Sequence, residues 1–288
     1  MEALSADFSD QDTPQWLQQY AAIESGQATW DDFSFLERTC KGWLLPLLFQ
    51  IDSFFSGRWW YWTRTLENGA FIDEPIPQID FLDFPNQEAF KSLTGCLTMY
   101  NRFGGFRFPD FLDWLLWGFG ESGNRASISD EANEFLYRTF NLGLLLQYPH
   151  DYLGQILTEE KSGYWNNPNA FYPTPHVVCS MMAKMQFADA VRERADLRTK
   201  RAVDPCVGTG RMLMYASNYC LRLYGADIDP VCVAACKVNG YLYMPWLVKA
   251  LPEIGPENEP CAAVPALELS PPGKVIHLGK PTQMQLFD

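Results

Sequence analysis

Residues 202–230 read AVDPCVGTGRMLMYASNYCLRLYGADIDP, and no other stretch of this chain limits its fold so tightly. Leu197 to Val203 lead into a short apolar strand that ends on Asp204. Gly208 and Gly210 then allow a tight turn and a close backbone approach to a ligand. The run RMLMYASNYCLRL predicts a helix over 211–223, its first N–H groups open toward whatever lies above the turn. LYGADID predicts a second strand ending in Asp227 and Asp229. A strand–turn–helix–strand unit of this kind requires a parallel pair and a crossover, so the expected class is α/β.

The same residues narrow the ligand. A dinucleotide site calls for GxGxxG and a phosphate loop for GxxxxGK[ST], and DPCVGTGRM is neither. Asp204 before the turn repels a pyrophosphate. It suits a ligand with an ammonium group, such as S-adenosylmethionine. A carboxylate at the end of the second strand, Asp227, is placed to accept both hydroxyls of a ribose.

The rest of the chain divides around residue 148. Up to residue 165 there are 24 acidic and 10 basic side chains, against 11 and 12 beyond it. Residues 1–147 predict an acidic, aromatic-rich helical domain, residues 148–250 the cofactor domain, and 251–288 a proline-rich loop and tail. Helices are expected over DTPQWLQQYAAIES, over a stretch kinked or broken at Pro46, over FPDFLDWLLWGF, and from Ser129 to Leu146. Trp59, Trp60 and Trp62 beside two arginines read as core, although such a cluster can also stack on bases. Arg102 to Arg107 form a weak basic patch. Tyr172-Pro173-Thr174-Pro175 opens a helix with an expected apolar face of Val177, Val178, Met181, Met182 and Met185. The excess of acid speaks against the first half acting alone as a duplex DNA clamp.

The eight cysteines form no CxxC pair and read as buried free thiols, with no metal site expected. No apolar run approaches the ~20 residues of a membrane span. The first residues, MEALSADFSDQD, carry no export signal, so a cytoplasmic protein is expected.

Three segments, in order, resemble the adenine-N6 DNA methyltransferases, above all the modification subunits of type I restriction systems. DYLGQILTEE (151–160) resembles the helix leading into their catalytic domain, FYPTPHVV (171–178) is similar to the F-x-TP segment that closes over the cofactor, and DPCVGTGRML with GADIDP resembles the two cofactor motifs. The resemblance covers about 148–245 and implies a Rossmann-like domain that binds S-adenosylmethionine. It implies that Thr174 helps hold the methionine carboxylate and that Phe171 or Tyr172 lines the pocket. Asp204 would face the amino end, the Gly208–Gly210 backbone would lie under the cofactor, and Asp227 would bind the ribose. Pro205, Cys206 and Ile228, inside the same motifs, complete the candidate cofactor-binding set.

The chain departs from that family at the chemistry. The [N/D/S]PP[Y/F] tetrapeptide is absent, and the one PP pair, Ser270-Pro271-Pro272-Gly273, has no ring to stack on a flipped base. GKVIHLGKPTQMQLFD resembles the stretch that reaches the third strand before that tetrapeptide, and the chain stops there at Asp288. The domain is therefore expected to be truncated. The chain would be a split enzyme completed by a partner chain and acting on DNA, or a pseudoenzyme; no catalytic residue is assigned. The alternative is a non-catalytic interaction protein of a mobile element. It would dock through QMQLF (Gln283–Phe287), which resembles a sliding-clamp-binding peptide, or serve as an acidic DNA-mimic decoy.

Overall fold

The computed structural model describes residues 41–98, 107–121, 128–160 and 171–251. The predicted helix at 12–25, residues 102–106 of the basic patch, Ser270–Gly273 and Gln283–Phe287 lie outside them. The described residues belong to one compact unit that ends at Pro252. They are mostly helical, with one small parallel sheet.

Among the described residues six helices come first: α1 (Leu44–Asp52), α2 (Arg58–Asn68), α3 (Gln87–Leu97), α4 (Phe108–Gly118), α5 (Asp130–Thr139) and α6 (Leu142–Gln147). Pro46 does not kink α1. It sits in the first turn, where its missing N–H removes no intrahelical bond. Ser129 caps α5, its Oγ accepting the Ala132 N–H at 3.2 Å. The single helix expected from Ser129 to Leu146 is instead two. Phe140 leaves the helical conformation, and the Asn141 side chain caps α6 by accepting the Leu144 N–H.

The tryptophans build the core. Trp43 packs against Trp114 and Tyr137, and Trp62 against Trp246. Three of the indole N–H groups are used as well: Trp59 donates to the Tyr241 carbonyl, Trp62 to that of Lys249 and Trp114 to Asn133 Oδ1. Only Trp60 of the WWYW run points outward. The proline-punctuated connector at 71–85 has no regular structure, yet it sends Ile76, Ile79 and Phe81 into the same core.

The second stretch comprises α7 (Tyr152–Glu160), α8 (His176–Arg192), β1 (Arg201–Asp204), α9 (Arg211–Ala216), β2 (Arg222–Gly225), α10 (Pro230–Tyr243) and α11 (Pro245–Val248). The two strands pair in parallel, Val203 opposite Tyr224 and Asp204 opposite Gly225. The crossover helix is half as long as its sequence predicts, stopping at Ala216. Asn218 lies just beyond that end. Its side-chain amide donates to the Ile79 carbonyl and its side-chain oxygen accepts the Ile79 N–H and the Arg58 guanidinium, while its own N–H bonds back to Tyr215 O at 3.3 Å in a tighter turn.

Helix α8 reverses its expected orientation. His176, Cys179, Ala183 and Phe187 face inward, whereas Val177, Met181, Met182 and Met185 face solvent. The helix carries apolar residues on two opposite sides, and the side with smaller residues and a polar partner is the packed one. His176 Nδ1 lies 3.0 Å from the Tyr215 hydroxyl, and the Phe187 ring stacks on Tyr219 at 5.1 Å. The outer face of the sheet is bare as well, with Val203 66% and Tyr224 44% exposed.

Arg58 fastens the early helices to the later stretch. It is fully buried, and its guanidinium donates to the Pro77 and Tyr243 carbonyls, Ser217 Oγ and Asn218 Oδ1. It also lies 4.9 Å from the Trp246 ring centroid. Burial pushes its pKa down to about 9, and the Asp52 carboxylate opposes the shift, so the group stays charged at neutral pH.

Candidate functional site

The glycine turn is held by its own backbone and by two carboxylates. Asp204, the last residue of β1, accepts the Cys206 N–H at 3.1 Å. The Val207 N–H donates to Ala226 O, and the Ala226 N–H to Asp204 O, which locks the turn to the chain leaving β2. Asp227 braces the other side: Oδ2 accepts the Gly208 N–H at 2.8 Å and Oδ1 the Asp229 N–H at 2.9 Å. Gly208 has φ of 53° and Gly210 of 90°, the left-handed region where other residues are strained. A Cβ on Gly210 would also lie 2.8 Å from Cys236 Sγ.

Over this turn opens a cavity of about 330 Å3. Every candidate residue except Gly210 lines it: Phe171, Tyr172, Thr174, Asp204, Pro205, Cys206, Gly208, Asp227 and Ile228. Gly210 stands behind, where its lack of a side chain admits Cys236. The Phe171 ring covers Gly208, so a Cβ there would come within 3.2 Å of it. Tyr172 and Ile228 flank the opening, 78% and 84% exposed, so an occupant would remove apolar surface from water. Cys206 presents an exposed thiol in the lining.

Sequence reasoning missed further lining residues, among them Asp229 and Arg211. Asp229 also caps α10, its Oδ1 accepting the Val231 N–H at 2.9 Å. Among the described residues Arg211 is the only lysine or arginine in the lining, and it is committed elsewhere: Nε donates to Asp151 Oδ2 at 2.9 Å and Nη1 to the Thr174 carbonyl at 3.0 Å. Burial raises the Asp151 pKa. Arg211, Thr209, the Gly154 N–H and Asn239 outweigh that effect and hold it below the usual carboxylate range. The cavity therefore shows a ligand three carboxylates, Asp204, Asp227 and Asp229, and one cation already paired. Such a lining favours hydroxyl and ammonium donors and disfavours phosphate. The signal for Asp151 was present in HDYLG, where a glycine sits three residues after a buried acid, but it has meaning only once Arg211 is in place.

Compared with known proteins, this chain matches no family model, no curated protein and no solved structure. Among the described residues no helix is long and apolar enough to cross a membrane.

Proposed function

We propose that the cavity over the glycine turn binds S-adenosylmethionine, and that the chain is a DNA adenine-N6 methyltransferase-like protein. The observation that carries this reading is the convergence of the 171–174 segment, the glycine turn and Asp227 on one anionic cavity, where the described residues offer no unpaired cation. A sulfonium cofactor with an α-amino group, a ribose and no phosphate fits that set. Asp227 spends one lone pair of each oxygen on the backbone and keeps the others for ribose hydroxyls. The β1–α9–β2 unit is, on this reading, the first part of a Rossmann-like sheet.

Methyl transfer to adenine would need a tetrapeptide that residues 1–288 do not contain; on this reading either another polypeptide segment supplies it or the site serves binding alone. The bare outer face of the sheet supports completion by another polypeptide, since parallel sheets are normally covered on both sides. A second reading, a non-catalytic interaction protein, draws on the exposed stripe of Val177, Met181 and Met185 along α8.

Titration calorimetry separates the two. S-adenosylmethionine and S-adenosylhomocysteine are expected to bind, with ATP not binding, and Asp227→Ala should weaken affinity about tenfold or more. A folded protein that takes up neither adenosyl ligand would sink the cofactor reading and leave the interaction reading standing.

A further inference from the structure

The walls of the cavity come from separate stretches of chain, and one buried carboxylate reaches the residues behind them. Asp151 stands immediately before α7, is wholly inaccessible, and does not line the cavity. Its Oδ1 accepts the Gly154 N–H and Asn239 Nδ2, both at 2.9 Å. Its Oδ2 accepts Thr209 Oγ1 at 2.7 Å and Arg211 Nε at 2.9 Å. Two of these partners carry the link onward. Arg211 Nη1 donates to the Thr174 carbonyl, and Asn239 Nδ2 to the Thr209 carbonyl at 2.8 Å. The 171–174 segment, the glycine turn and α10 thus meet at a single side chain. Gly154 makes room for it, because a Cβ at that position would collide with Asp151 Oδ2.

A buried ion pair of this kind adds little net stability compared with well-packed apolar groups of similar volume. It does impose geometry: Asp151 is satisfied only when all four donors converge. We infer that Asp151 is a positioning residue for the cavity, setting the 171–174 segment against the glycine turn and so governing ligand affinity without touching the ligand. This rests on the cavity being a binding site, while the mechanical link itself needs no ligand.

Hydrogen exchange on the full chain without ligand tests the link, using Asp151→Asn and Arg211→Lys. Asp151→Asn should speed exchange together in peptides covering 171–180 and 207–215, leaving α3 and α4 as in the parent. Arg211→Lys keeps the ion pair but shortens the reach to Thr174, and should loosen 171–180 alone. In calorimetry, Asp151→Asn should lower S-adenosylhomocysteine affinity about tenfold or more. Faster exchange confined to α7, with affinity unchanged, would show a local cap and overturn the inference. If the parent binds no adenosyl ligand, the cofactor reading fails, and the exchange arm still decides the link. If Asp151→Asn does not fold, Arg211→Lys decides it, and unchanged exchange at 171–180 in that variant overturns the inference.

Discussion

Gly210 shows how one missing side chain can set a turn. Its φ of 90° and the Cys236 sulfur behind it exclude a methyl group on two independent grounds. Gly210→Ala is expected to cost about 1–3 kcal/mol of stability, read as a lower denaturation midpoint with an unchanged slope. Gly208 and Gly210 were legible in the sequence as turn formers because φ is a local property. The role of Asp151 was not, since its donors come from positions 154, 209, 211 and 239. Arg58 stayed equally hidden. The tryptophan cluster beside it reads as core, but its buried partners Ser217, Asn218 and Tyr243 lie far along the chain. Arg58→Met should destabilise by about 3 kcal/mol or more, because it strips donors from buried acceptors on both sides of the core, and a denaturant titration would measure the loss.

Among the elements, α8 gives the clearest lesson on what periodicity can decide. Its apolar residues recur at helical spacing, which locates the helix, but they do so on two opposite sides, and spacing alone cannot choose between them. The choice lies with His176 and its Tyr215 partner, and with Phe187 and Tyr219. Because Met181 and Met185 face solvent, the double substitution Met181→Glu, Met185→Glu should shift unfolding free energy by no more than about 0.5 kcal/mol. Thermal denaturation would check it. A loss of several kcal/mol would mean the stripe is covered after all. The crossover helix shows where propensity counts. RMLMYASNYCLRL opens with strong helix formers, and the helix ends where the weaker run 217–220 begins.

For the whole molecule, two buried imidazoles set the acid limit. His150 and His176 stack with centroids 4.2 Å apart, both nearly inaccessible. Burial, then Arg211 and His150 beside it, push the His176 pKa down to about 3. Burial lowers that of His150 too, against the opposing pull of the Leu82 carbonyl it donates to and of Asp151. Both stay neutral in the folded protein at pH values where the unfolded chain, with pKa near 6.5, takes up protons. Stability is therefore full above about pH 6.5 and falls as pH drops below it, by up to one bound proton per imidazole. Denaturant midpoints at pH 7.5, 6 and 5 should show this decline, and His176→Phe should make it shallower. Because Arg58 and the shared aromatic core join the early helices to the later stretch, a single cooperative transition is expected by fluorescence and circular dichroism alike.

Of the described cysteines, five are sealed in the interior and Cys206 alone is open, on the lip of the cavity. The protein thereby carries its own reporter. With Cys40 and Cys261 replaced by alanine, an electrophilic dye would label the lip, and an occupant would slow that labelling in proportion to the fraction of sites it fills. Occupancy could then be followed with a stopwatch and a fluorimeter, in a chain whose enzymatic turnover need never be observed.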